Sequence, residues 1–237
     1  MRTILLIFFF VTTLSYSEVL HLQIKYIGIN AVDVLMKNQN NHITINAKTN
    51  GLIKLVTNLD NHYKIKYQQN YLPEFYLKDI NQGNYFENRK TTYTHKDSTA
   101  YRISFLDSAN VIKYKINSKT RDFFSALFYL RNNLFAKEKT LWIDANSILW
   151  KANYTILKKE KLNTILGKKN TLLVKLDFIK MEKDKIETRS DMLTNNLVNE
   201  KNSLYFWFTQ DEKKIPVKAK FTMKPFSVYW ILKEYEE

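Results

Sequence analysis

Ser203-Leu-Tyr-Phe-Trp-Phe-Thr-Gln-Asp-Glu-Lys-Lys-Ile-Pro-Val-Lys-Ala-Lys-Phe-Thr-Met223 reads as strand, tight polar turn, strand. In its second half Ile215, Val217, Ala219, Phe221 and Met223 alternate with Lys214, Pro216, Lys218, Lys220 and Lys224, which is the period of two of a half-buried antiparallel strand. The first half carries Leu204, Phe206 and Phe208 on one face and Tyr205 and Trp207 on the other. Both faces are therefore covered, and the hairpin belongs in the body of a sheet. Asp211 suits the turn because an Asp side chain bonds its own local backbone. Pro216, without an N–H, asks for an edge or solvent-facing position.

Outward from this hairpin the same rhythm recurs. Val19–Tyr26 alternates, Gly28 breaks the run, and Ala31–Met36 resumes it, as two paired strands or one bent strand would. Short alternating runs separated by Asn-rich turns follow at His42–Lys48, His62–Tyr67, Phe75–Leu77, Tyr85–Tyr93, Ala100–Phe105 and Val111–Ile116, the pattern of an up-and-down meander. One segment changes period. In Thr120–Asn133, Phe123, Ala126, Leu127 and Leu130 recur three or four apart, with Thr120 or Asp122 available as N-cap, which predicts a helix of about three turns. Its apolar stripe is broad enough to plug or cover one face of the sheet. After it come strands at Leu141–Ile143, Leu149–Leu157 and Thr171–Met181, with Lys159–Gly167 expected as a hairpin loop. The charged, Asn-rich stretch Glu182–Asn202 is expected as one long surface loop, and Phe226–Leu232 closes the fold. The predicted fold is mainly β, a strongly curved antiparallel sheet or open half-barrel with one α-helix packed against its concave face.

The N-terminus predicts the compartment. Met1-Arg2 is a short positive start, Thr3–Leu14 is apolar, and Ser15-Tyr-Ser17 is a small-x-small cleavage signal, which together read as a secretory leader over 1–17. Its apolar run is shorter than a bilayer span of about 20 residues, and no later segment qualifies. A single β domain over 18–237 is expected in the periplasm, without a transmembrane span. With no Cys, neither a lipoprotein anchor nor a disulfide scaffold is available. The formal charge is +14 from 37 Lys and Arg, of which only six are Arg. Lysines at alternating strand positions read as solvated faces, and export removes nucleic acid from the expected partners. Peripheral contact with a membrane stays open.

Several stretches resemble a known family when taken in order: Tyr26–Ala31, the Lys48–Gly51 turn, Leu72-Pro73, the Phe124–Arg131 helix, Glu160–Gly167, and Trp207–Asp211 with Ile215–Val217. They are similar to the bacterial exported family catalogued as domain of unknown function 3108. The resemblance implies a periplasmic, mostly antiparallel β domain and supplies no activity. Envelope carriers of lipoproteins and lipopolysaccharide, of similar build, shelter acyl chains on a curved sheet, a likeness of fold alone.

Catalytic signatures are absent from the sequence: no Gly-x-Ser-x-Gly, His-Glu-x-x-His, Walker loop or dinucleotide glycine turn occurs. The four His, at 21, 42, 62 and 95, are not spaced as metal ligands, and no metal or cofactor is expected. Asp177 sits mid-strand among apolar neighbours, where an ion pair with Lys175 or Arg131 is the structural reading and general acid/base work the functional one. The aromatic surplus is the most suggestive feature. Phe124, Phe128, Trp142, Trp150 and Trp207 are read either as core filler or as the lining of an apolar ligand pocket. Arg131 would then either satisfy the helix C-terminus or contact an anionic head group. The leading expectation is a non-enzymatic envelope protein that binds a lipid, another amphiphile or a different envelope component. The alternatives are an assembly module docking by an edge strand and, third, a hydrolase acting on envelope material.

Overall fold

The computed structural model describes residues 17–51, 54, 58–106, 111–185, 190–195, 197–223 and 226–237. All of the predicted leader except Ser17 lies outside the described residues.

Fifteen strands form one sheet. In chain order they are β1 (Ser17–Tyr26), β2 (Ile29–Gln39), β3 (His42–Thr49), β4 (Leu59–Gln68), β5 (Leu72–Gln82), β6 (Tyr85–Thr94), β7 (Thr99–Ser104), β8 (Val111–Lys115), β9 (Thr120–Asp122), β10 (Thr140–Ala145), β11 (Ile148–Thr164), β12 (Gly167–Lys180), β13 (Leu204–Thr209), β14 (Pro216–Met223) and β15 (Phe226–Glu236). Adjacent strands in the sheet are sequential neighbours except at one point, where β1 pairs with β15 and joins the two halves of the meander. Every pairing is antiparallel but that of β9 with β10. The sheet is not closed: its two edges are β8 and β9, which follow one another in the chain yet do not pair.

The helix α1 (Phe123–Asn132) lies inside this curve. Asp122 caps it, its Oδ1 accepting from the N–H groups of Phe124 (2.9 Å) and Ser125 (3.1 Å), which satisfies donors that a helix start leaves unpaired. Eight of its ten residues are buried, as befits a helix apolar on every side. Phe124 packs at a tilt against Tyr63 of β4 (centroids 5.2 Å apart) and Phe128 stacks on Tyr71 (5.9 Å). On its other side Phe123 and Leu127 meet Leu141, Ile143, Leu176 and Phe206. Alternation supplies the facing wall: Leu20, Leu22 and Ile24 of β1 oppose Met36, Val34 and Val32 of β2, and all six are buried. At about 1.5–3 kcal/mol for each large apolar side chain buried, this core holds the chain together without disulfides.

The 203–223 hairpin is as the alternation predicts, with Ile215, Val217, Ala219 and Phe221 buried. Thr209 donates to Asp211 Oδ1 at 2.7 Å in its turn. Pro216 differs from expectation. It is buried, and it opens β14 beside a register shift at Trp207/Phe208; a bulge tolerates a missing N–H as well as an edge does. Lys159–Gly167 is not a loop. β11 and β12 pair through it down to Thr164 and Gly167, where Gly167 has φ +84°, because the solvated end of a hairpin needs only backbone pairing and a turn residue that accepts positive φ. Nor is 182–202 one free loop. Within it α2 (Met192–Asn195) and buried Asp191, Leu193, Leu197 and Val198 pack onto the barrel.

Candidate functional site

The most unusual chemistry in the protein lies where the sheet fails to close. Inward-facing positions near the open edge carry charge where an apolar residue would be expected: Lys78 on β5 between Tyr76 and Ile80, and Glu87 and Arg89 on β6. Lys78 is only 2% exposed. Its Nζ donates to Asp191 Oδ2 at 2.7 Å and Thr194 Oγ1 at 2.9 Å, with Ser190 Oγ and Asn146 Oδ1 each at 3.3 Å. Asp191 in turn accepts from the Tyr63 hydroxyl at 2.6 Å and the Thr194 N–H at 2.9 Å. Burial alone would raise the Asp191 carboxyl, but Lys78 and these donors outweigh it and hold it well below the usual carboxylate range. Burial also lowers Lys78 from its ordinary value, against the pull of Asp191.

A second group continues the line. Asp144, near the end of β10, accepts from Tyr114 of β8 at 2.6 Å and Tyr93 of β6 at 2.9 Å. Arg89 donates to Asn146 at 2.9 Å and pairs with Glu87 at 2.5 Å. Tyr85 donates to Glu87 at 2.7 Å. These contacts run from β4–β8 to the β10–β11 turn and the 190–194 segment, so they bridge the two edges where no ladder does. A third contact does the same lower down: Arg121 of β9 donates to the Asn70 carbonyl from Nε (2.9 Å) and Nη2 (2.6 Å). The cluster is thus a clasp across the seam. It substitutes charge-assisted hydrogen bonds, stronger than neutral ones, for the missing strand pairs.

The helix cap completes the interior chemistry. Burial pushes the Asp122 carboxyl up to about 6, against the lowering effect of its Ser125 and Phe124 donors.

The sequence-predicted pocket is not assembled as one site. Phe124, Phe128 and Trp150 are buried inside. Trp142 is only half-buried and points the other way from inward Leu141 and Ile143. Trp207 also lies on the outer face, where its indole donates to Glu160 at 2.6 Å beneath Lys218 Nζ, 4.8 Å from the ring. The five therefore divide between two sides of the sheet. Among the described residues, two voids beside the helix measure about 10 Å³ each, room for about one water, whereas ligand pockets run to roughly 300–1,000 Å³. Arg131 does not present its charge to a head group: Nη1 donates to both Glu18 oxygens at 2.8 Å and Nη2 to the Lys213 carbonyl at 2.5 Å, with Glu18 1% exposed. Its anion is internal, a carboxylate from β1. Asp177 pairs with Lys175 at 2.9 Å, the ion pair expected, although its side chain is half exposed.

Two open grooves mark the outside. One of about 500 Å³ on the outer face of β1–β4 and β15 includes His21, Asp33, Lys48 and His62, and one of about 570 Å³ at the 210–215 turn includes Lys169, Asp211 and Lys213. Among the described residues, His21, Glu234 and Glu236 bring ligand-type atoms within 4.8 Å of one another. That trio is exposed or half-exposed, and such surface carboxylates gather readily without an ion. No described helix is long and apolar enough to cross a membrane.

An open antiparallel barrel filled by a helix and clasped by buried polar side chains defines the class: a mainly β, barrel-like domain. The chain belongs to the DUF3108 family, described as a protein of unknown function, whose sequence profile matches residues 20–225. Among solved structures it is similar to a β-barrel-like protein of domain of unknown function DUF1849 from Brucella abortus, with a TM-score of 0.56 at 10% identity over 94% of this chain and 97% of that one. At that identity the likeness concerns fold alone. A candidate lipoprotein from Parabacteroides distasonis aligns at a TM-score of 0.34 and 9% identity, over 93% of this chain and 95% of that one. A comparison with curated proteins found no match.

Proposed function

We propose that the protein is an exported, non-enzymatic β domain of the cell envelope that engages an amphiphilic envelope component with the outside of a filled barrel. The observation that carries this reading is the packing around α1. Among the described residues, voids beside the helix that hold about one water each support reading these aromatic side chains as core and any binding as a property of the surface. The buried clasp reads as structure on the same grounds, since its lysine and carboxylates are spent on one another. Export is supported by the sequence of 1–17, with its short positive start, apolar run and small-x-small cleavage signal. Docking by an edge strand is less favoured, because β8 has five residues and exposes Lys113 and Lys115, and lysines on a short edge discourage strand addition.

Titration with a fluorescent fatty acid tests the reading. The expected result is no saturable one-to-one uptake and no quenching of the inward Trp150. Stoichiometric uptake that Phe124→Trp abolishes would overturn it and restore the interior pocket.

A further inference from the structure

Strand direction alternates around the sheet, so the β1–β2, β5–β6 and β7–β8 connections, the end of β12 and the β14–β15 connection all fall at one end of the barrel. Large apolar side chains are exposed there in an uneven way. Of the thirteen such residues among those described, only Tyr101, Phe135, Leu157 and Ile165 lie elsewhere. Two groups stand out on separate strand tips. Ile27 and Ile29 flank Gly28 and are 56% and 57% exposed, with Phe226 of the neighbouring β15 beside Tyr26. On the other group of strands Phe86, Phe105 and Leu106 are 60%, 55% and 65% exposed.

Ile27 is the sharpest anomaly. It has φ +50°, a region that β-branched side chains avoid and that Asn or Gly fills in ordinary two-residue hairpins. Neither turn chemistry nor solubility explains an isoleucine at such a position, whereas contact with an apolar phase does.

We infer that this apolar rim is a membrane-docking surface whose partner is an anionic phospholipid bilayer, entered to the depth of the strand tips. The inference rests on the barrel acting through its outside. The apolar groups stand on separate tips instead of lining one groove, which suits a broad, shallow apolar phase better than a peptide. The chain's formal charge of +14 complements an anionic surface, which draws basic proteins within a Debye length. Shallow insertion of several tips plus this attraction gives reversible, peripheral attachment, as for interfacial helices.

The test is co-flotation of the purified full chain with vesicles of phosphatidylglycerol and phosphatidylethanolamine, against vesicles of phosphatidylcholine alone. The rim variant F86S/F105S/L106S is compared with L157S/I165S, which removes exposed apolar groups elsewhere. All proteins share one N-terminus, so a retained leader cancels in the comparison, and circular dichroism melts verify folding. Wild type is expected to float with the anionic vesicles, less so at high salt, and the rim variant to bind at least about tenfold more weakly for three large side chains withheld from an apolar phase. L157S/I165S is expected to match wild type. No binding to anionic vesicles, equal binding by the rim variant, or a wild-type dimer that the rim substitutions dissociate would overturn the inference. Such a failure leaves the filled-barrel reading standing, because that reading falls to a lipid held in the interior and not to loss of vesicle binding.

Discussion

Lys78→Met tests the clasp. The Lys78 and Asp191 side chains are 2% and 0% exposed and meet at 2.7 Å, with Asp191 further bonded to Tyr63 and Thr194. Removing the ammonium leaves a buried carboxylate without its counter-charge, a loss of about 3–5 kcal/mol against a domain stability of about 5–15 kcal/mol. In K78M/D191N the amide oxygen still accepts from Tyr63 and from the Thr194 N–H while no uncompensated charge remains, so most of the loss is recovered. Urea unfolding followed by tryptophan fluorescence measures all four corners of the cycle, and the coupling is expected to exceed about 2 kcal/mol. Because Asp191 is held below its unfolded value, its contribution is present at neutral pH and lost as pH falls below about 4. The single variant is expected to lose that acid-limb dependence on K78 along with its stability. A K78M loss under about 1 kcal/mol, or a double variant no more stable than K78M, would show that the charges do not hold the seam.

Asp122 has the opposite sign: its carboxyl, at about 6 when folded, lies above its unfolded value, so stability falls as pH rises from about 4 to 6, by about 3 kcal/mol. Asp122→Asn keeps a capping side chain and is expected to flatten that slope in melts taken across the range. Glu18→Ala strands Arg131 among buried groups and is expected to cost about 3–5 kcal/mol, read by chemical denaturation. Phe124→Ala, at a fully buried helix position, is expected to lose about 3–5 kcal/mol, while Trp142→Ala, half-buried on the outer face, loses clearly less.

The fold was legible where periodicity is local. Ile215 through Phe221 announced β14, and the run from Phe123 to Leu130 behind Asp122 announced the helix. The clasp was not legible, because Lys78 and Asp191 are 113 residues apart and no local pattern joins them. A signal did exist: Lys78, Glu87 and Arg89 occupy the inward phase of their strands, in step with Ile80 and Tyr93, and a charge in that phase requires a buried partner. The 182–202 stretch reads as a loop for the same reason. Its polar composition hides buried Leu193 and Leu197 and Asp191, whose partners Tyr63 and Lys78 lie on strands more than a hundred residues away. Residue type groups Trp142 and Trp207 with Phe124, whereas strand alternation puts Trp207 on the face opposite Phe206 and Phe208.

The filled barrel is tested most directly by native mass spectrometry of the protein purified from expressing cells. The account predicts the mass of the protein alone, with no bound adduct under gentle desolvation. A stoichiometric lipid adduct that persists until the protein unfolds would contradict it.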